Sequence, residues 1–255
     1  MTETKDWKPI DFQCTIECLY CPEHGNSVVP MLRPGWQTIP NHYAIFVAGD
    51  TDIFAPEVPD DMIRKVMEKA RKTWNTFIFS TKNPSRYFEF IDDFPANSLI
   101  SVTVESDIDH HFSKAEPPLT RLRWMKELNT TLKKERRGDV EVCISIQPIL
   151  PFSENFAASI EEVKPSQVGI GYELTGLKWF PTPEFCDVLS LARALSAFSL
   201  VNIHGVDIDA DTELEDWPFR SCPEEYQSPE MLRNPALNTC DDPSLLNSEN
   251  YHQFY

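Results

Sequence analysis

Between positions 10 and 206 short β-rich runs alternate with longer amphipathic ones, and no other feature of the chain limits its possible folds as strongly. Such alternation builds a parallel sheet with helices packed outside it. Strands are expected at 10–13, 43–48, 76–80, 99–104, 140–146 and 167–172, with a weaker one at 200–206. Met62, Ile63, Val66, Met67 and Ala70 fall on one helical face, as do Leu122, Met125, Leu128 and Leu132 within 119–134. A further helix is expected to begin near Pro84 and to turn Tyr87, Phe88 and Ile91 inward. Pro183 stands at the start of another, which carries Phe185, Val188, Leu189, Ala192 and Leu195. Six or so units are too few for a closed eight-fold barrel. The expected fold is therefore α/β, a partial (β/α)6 TIM-like barrel with a C-terminal extension, and its functional groups belong at the carboxyl ends of the strands.

A length of 255 residues suits one barrel domain, expected at 1–206, followed by an acidic, Pro-rich extension or cap at 207–255. Forty acidic side chains against twenty-three basic give a net charge of -17, which disfavours nucleic acid and anionic membranes as partners. From Asp207 onward twelve acidic residues face only Arg220 and Arg233, so most of the excess lies in the extension. No apolar run approaches the roughly 20 residues of a membrane span, and the first nine residues lack the apolar stretch of a signal peptide. A cytoplasmic protein is expected. Seven cysteines, an odd number in such a chain, point to metal binding or buried thiols over a disulfide framework.

Three of them cluster as Cys14-Thr-Ile-Glu-Cys18-Leu-Tyr-Cys21, directly after the first expected strand. Three thiolates on one short loop can hold three irons of a cubane and leave the fourth iron open, whereas a fully ligated electron-transfer cluster needs a fourth cysteine, and none stands nearby. The competing reading adds His24 to the three cysteines and makes a closed tetrahedral zinc site. In that case the chain is a binding module stabilised by zinc or a structural cluster. Its position at the head of a β-α series, outside any small finger, weighs against zinc.

This spacing, with Tyr20 before the third cysteine, resembles the signature of the radical S-adenosylmethionine (SAM) superfamily. The resemblance implies that the cysteines bind a 4Fe-4S cluster and that its open iron takes the amino and carboxylate groups of SAM. Reductive cleavage of SAM then yields methionine and a 5′-deoxyadenosyl radical, which abstracts hydrogen from a substrate. It also implies an electron donor such as flavodoxin or ferredoxin. The runs 46–58, 79–84, 101–105, 143–150 and 169–173 look like those of small phage-associated and archaeal proteins related to this superfamily. The photoproduct lyases of DNA repair share the same outline more distantly, and for such a repair activity the acidic balance is contrary.

On that resemblance, Gly49 and Asp50 stand where a Gly-Gly-Glu type motif meets the methionine amino group; Asp52 is an alternative acceptor, and a plain turn is the bland reading. Lys82 could pair with the SAM carboxylate, and Glu105 and Ser106 could hold the ribose hydroxyls; a purely structural Lys82–Glu105 ion pair is the rival. Alternation puts Ser101, Thr103 and Glu105 on one strand face, where a buried glutamate requires partners. Gln147 and Glu173 lie at later strand ends and, with Lys82, line the expected mouth, while Gly169 and Gly171 would let an adenine approach the backbone. Cys143 is expected to be a core thiol, with a hydrogen-atom donor as the lesser reading. The substrate, small molecule or peptide, is not encoded in any of these residues.

Overall fold

The computed structural model describes residues 4–21, 27–47, 51–172 and 181–204. In chain order the elements are β1 (Thr4–Trp7), β2 (Ile10–Asp11), β3 (Met31–Leu32), β4 (Ala44–Val47), α1 (Asp60–Ala70), β5 (Thr76–Thr81), a 3-10 turn (Pro84–Phe90), β6 (Ser98–Thr103), α2 (Pro118–Lys134), β7 (Val140–Ile146), α3 (Phe156–Glu161), β8 (Gln167–Gly171), α4 (Phe185–Ser196) and β9 (Leu200–His204). Seven strands form one sheet in the order β1-β4-β5-β6-β7-β8-β9, and every pairing is parallel. The sheet curls into a half-barrel with its helices outside, the expected partial barrel.

Its beginning differs from the expectation. The run at 10–13 contributes only Ile10 and Asp11 to a separate antiparallel pair with Met31 and Leu32. The first strand of the main sheet is β1, paired from Thr4–Ala44 to Trp7–Val47. Pro9 separates the two, since it has no N–H to give a ladder and ends the first strand. Near Pro84 the chain makes a 3-10 turn, not an α-helix. The segment 207–255 and its Cys222 and Cys240 lie outside the described residues.

The two faces of the sheet have opposite chemistry. Toward the helices, Phe77, Phe79, Ile100, Val102, Val142 and Ile144 are buried. There Phe54 packs on Tyr87 at 4.7 Å between ring centroids, and Phe79 and Tyr87 each lie 5.5 Å from Phe94. The Tyr87 hydroxyl donates to the Ser101 carbonyl at 2.7 Å, which satisfies the polar tip that the aromatic body drags inside. The concave face instead carries Ser80, Ser101, Cys143 and Gln167 in one register row and Thr103, Ser145, Gly169 and Asn202 in the next. Most of these are half-buried, open toward the hollow of the half-barrel.

Candidate metal and cofactor site

The cysteine turn follows β2. Phe12 and Ile16 are buried and anchor it in the core, while Glu17, at φ 48°, adopts the left-handed conformation that reverses the chain between Cys14 and Cys18. The Cys21 N–H donates to the Cys18 carbonyl at 3.0 Å. The segment after β6 holds the turn from outside: Leu19 N–H donates to Phe112 O at 2.9 Å and Lys114 N–H to Ile16 O at 2.7 Å, and Lys114 pairs with Glu17 at 2.6 Å. These contacts seat the cysteines at the carboxyl ends of the parallel strands, beside the residues that follow β4, β5 and β6.

Burial pushes the Cys14 thiol up to about 11, and Asp52 raises it further, while the backbone amides of Ile16 and Asp52 hydrogen-bond the sulfur and oppose the rise. Burial also raises Cys18, but there the strongest charge influence is Lys82, which lowers it. Thiols kept neutral in this way surrender their protons when a metal binds, so affinity and pH are coupled. Among the described residues no three His, Cys, Asp or Glu side chains already converge as ligands of a single ion. His24, the fourth ligand of the zinc reading, lies outside the described residues. The donor set, three soft thiolates on one turn with backbone amides aimed at a sulfur, fits an iron-sulfur cluster bound through Cys14, Cys18 and Cys21.

Behind the turn lies a buried polar knot. The Tyr20 hydroxyl donates to Glu105 Oε1 and accepts from Lys82 Nζ, and Lys82 pairs directly with the same carboxylate. The Lys82 ammonium also lies 4.7 Å from the centroid of the Tyr20 ring. Arg121, 3% exposed on α2, reaches Glu105 Oε2 at 2.9 Å and donates to the carbonyls of Thr103 and of Glu116, the latter at 2.9 Å. Burial lowers Lys82 to about 7, with Cys18 holding it up, and lowers Arg121 as well. Tyr20 is pushed well above its ordinary value by burial and by the neighbouring Cys18.

The structure thus brings Tyr20, Lys82 and Glu105 together, in the ion-pair arrangement that the sequence leaves as a rival to ligand contact. Asp52 accepts from the Thr81 hydroxyl at 2.8 Å and from the backbone amides of Lys82 at 2.8 Å and Phe54 at 2.9 Å, and burial raises its carboxyl. The Ser106 hydroxyl donates to Pro151 O at 2.7 Å and accepts from Ile108 N–H, tying the segments after β6 and β7. His110 meets the same carbonyl at 2.7 Å. Thr103 is half-buried, its hydroxyl 3.4 Å from that of Ser80. At Gly171 the space a Cβ would occupy is filled by Gln147, whose Cδ would lie 2.7 Å away. Gly49, Asp50 and Glu173 lie outside the described residues.

Sequence reasoning misses Arg121, although a signal exists. It stands at i relative to Met125, Leu128 and Leu132, a charged residue on the apolar face of α2, where burial without a partner is prohibitive. Four lysines, Lys126, Lys133, Lys134 and Lys164, line a groove with Glu162 on the outer side of the barrel. That groove lies toward the amino ends of β7 and β8, away from the cysteines, so an anion bound there is not presented to them.

No protein-family model matches the sequence, and no curated protein sequence does. Among solved structures, SuiB of Streptococcus suis bound to S-adenosylmethionine superposes with a TM-score of 0.56 at 10% identity, over 81% of this chain and 51% of that one. A cysteine-to-serine mutant of spore photoproduct lyase gives 0.54 at 11% identity, over 78% of this chain and 76% of the other. A cysteine-to-alanine mutant of the same lyase with dinucleoside spore photoproduct gives 0.53 at 11%, over 76% and 75%. This chain therefore spans about half the length of SuiB and three quarters of the lyase. The half-barrel of this chain is the fold it shares with both neighbours.

Proposed function

We propose that this chain is a radical SAM enzyme, with Cys14, Cys18 and Cys21 each binding a different iron of a 4Fe-4S cluster and SAM completing the open iron. The observation that carries this reading is the position of three thiols on one anchored turn at the carboxyl ends of a parallel half-barrel. Bound there, the cluster would supply the electron that splits SAM into methionine and a 5′-deoxyadenosyl radical, leaving the protein to bind, orient and shield.

Those tasks divide among its residues. Tyr20 fixes the third cysteine against β6 through Glu105. Lys82 and Glu105, bound to each other and to Tyr20 and Arg121, support the turn; Ser106 joins the two neighbouring segments. Contact with the nucleoside of SAM falls to the open groups of the concave face, Ser80, Thr103 and Ser145, with Gln147 packed on Gly171 at the next strand end. Gly49 and Asp50 remain our assignment for the methionine amino group, and Glu173 for the mouth. The hydrogen donor is a small molecule or a peptide lying over the concave face, and flavodoxin or ferredoxin supplies the electron. Kinship with the small phage-associated and archaeal proteins rests on the sequence runs alone.

The deciding experiment is anaerobic reconstitution with iron and sulfide, then dithionite and SAM, with 5′-deoxyadenosine measured by chromatography. Production in the native chain and its loss in Cys18→Ala are expected. One bound zinc, no cluster absorbance and no deoxyadenosine would sink the proposal and leave a zinc-stabilised binding module.

A further inference from the structure

The groove between α2 and the turn after α3 gathers positive charge on a chain whose net charge is -17. Lys126, Lys133 and Lys134 come from α2 and Lys164 from the turn, and Asn129 joins the two by donating to the carbonyls of Val163 and Lys164 at 2.9 Å each. Lys164 sits at φ 55°, a left-handed conformation in which glycine is less strained, so the turn presents its cation at a cost in backbone energy. Elsewhere on the surface Lys65, Lys72 and Lys114 hold the carboxylates of Asp61, Glu68 and Glu17. In the groove Glu162 is taken by Lys126 at 2.8 Å, and Lys133, Lys134 and Lys164, all exposed, form no ion pair with any described residue. Like charges gathered in one groove repel, and a run of carboxylates laid along it relieves that repulsion.

Such a run stands in the chain itself. The segment 207–255 sets twelve acidic residues against Arg220 and Arg233, a larger net negative charge than that of all of 1–206. Asp207, Asp209, Asp211, Glu213 and Glu215 occupy alternate positions, and an extended backbone puts all five carboxylates on one edge, roughly 7 Å apart. We propose that this acidic extension binds in the lysine groove of its own chain, and so runs along the outer wall of the half-barrel instead of capping its mouth. Strand β9 ends at His204, level with Gly171 at the carboxyl end of β8, while the groove lies toward the amino ends of β7 and β8. The way there is about 10 Å across two strands and about 16 Å down one, with roughly 10 Å more for the thickness of a helix. Residues 205–225 alone reach about 70 Å when extended, enough to pass around α4 and α3 with both acidic runs, 207–216 and 224–225, in range. This binding is independent of what the cysteine turn holds, and it leaves the concave face to the substrate.

The test is limited trypsin digestion of the full chain, with cleavage after Arg220 and after Arg233 followed by mass spectrometry. Both bonds should be cut several-fold faster in Lys133→Glu/Lys134→Glu/Lys164→Glu than in the native chain. Native protection should fall in the same way in about 0.5 M salt, where the Debye length shrinks to roughly 4 Å. The variant Lys133→Arg/Lys134→Arg/Lys164→Arg, which keeps the charge, should digest at the native rate. All three positions are exposed, so neither variant disturbs the core. Carbodiimide cross-linking of mixed light and isotope-labelled chains should join the groove lysines to carboxylates of 207–255 within one chain. Cross-links found only between light and labelled chains would make a second copy the occupant, and cross-links to Lys114, beside the cysteine turn, would make the extension a cap over the mouth; either result overturns the proposal. Equal digestion of the native and charge-reversed chains overturns it as well.

Discussion

Strands β5, β6 and β7 show two different proteins on their two faces. On the helix side Phe77, Phe79, Ile100, Val102, Val142 and Ile144 join one apolar core with the aromatic cluster around Phe54 and Tyr87. One residue along each strand, on the concave side, the chain places Ser80, Thr103 and Ser145, which stay half-buried. Alternation with period two makes this division possible without any change of backbone. The lesson is that stability is concentrated on the convex face, and the concave face is left free of that duty. A polar, half-open lining is poor at holding a fold together and well suited to a ligand with hydrogen-bonding edges.

Neighbouring substitutions break the contrast most sharply. Phe79→Ala empties a site that is 0% exposed and should cost about 3–5 kcal/mol. Ser80→Ala, the next residue on the other face, should remain within about 0.5 kcal/mol of the native chain. Urea titrations of both variants measure this directly, and similar midpoints would mean that the concave face contributes to stability after all. Cys143, like its neighbour Ser101, is buried on that face. It is 8% exposed, its thiol lies 3.7 Å from the Ser166 hydroxyl, and burial pushes it up to about 12 from 9.0. The folded chain therefore keeps a proton that the unfolded chain loses above pH 9, so this contribution to stability is complete below that pH and disappears as the pH rises toward 12. The slope is at most about 1.4 kcal/mol per pH unit. Unfolding measured from about pH 8.5 to about pH 10.5 should be less pH-dependent in Cys143→Ala; an unchanged slope would place this thiol in contact with water.

The same division explains what can be read from the chain. Strands β5, β6 and β7 are legible almost to the residue, since Val140–Ile146 coincides with the expected run, because their alternation is local and strong. Strand β1 is not, because Thr-Lys-Asp-Trp carries two charges and, at the sheet edge, buries only Trp7. The cysteine turn is legible because its spacing is itself local. Its support is less so: Tyr20, Lys82, Glu105 and Arg121 span more than a hundred residues, and only the Lys82–Glu105 pairing is suggested by the sequence. Contacts that depend on three strand ends and a helix meeting in space leave no period in the sequence. Arg121 shows the one trace such a contact can leave, a charge on an apolar helix face.

The smallest effect concerns the upper row of the concave face. The sequence offers Gly171 as a place where an adenine meets the backbone, but a Cβ placed there would lie 2.7 Å from Gln147 Cδ and 2.8 Å from its Cγ. Gly171 does not adopt positive φ, so an alanine meets no backbone penalty and only the clash counts. Because the obstacle is a flexible side chain, the cost of Gly171→Ala should sit at the low end of overpacking, about 1 kcal/mol, as Gln147 is pushed toward the hollow. A double-mutant cycle isolates the cause. In a Gln147→Ala background the same substitution should cost nothing measurable, since the atoms it would strike are gone. If the full cost persists there, the glycine is required for another neighbour, and the assignment of Gln147 to this place in the concave face must be abandoned.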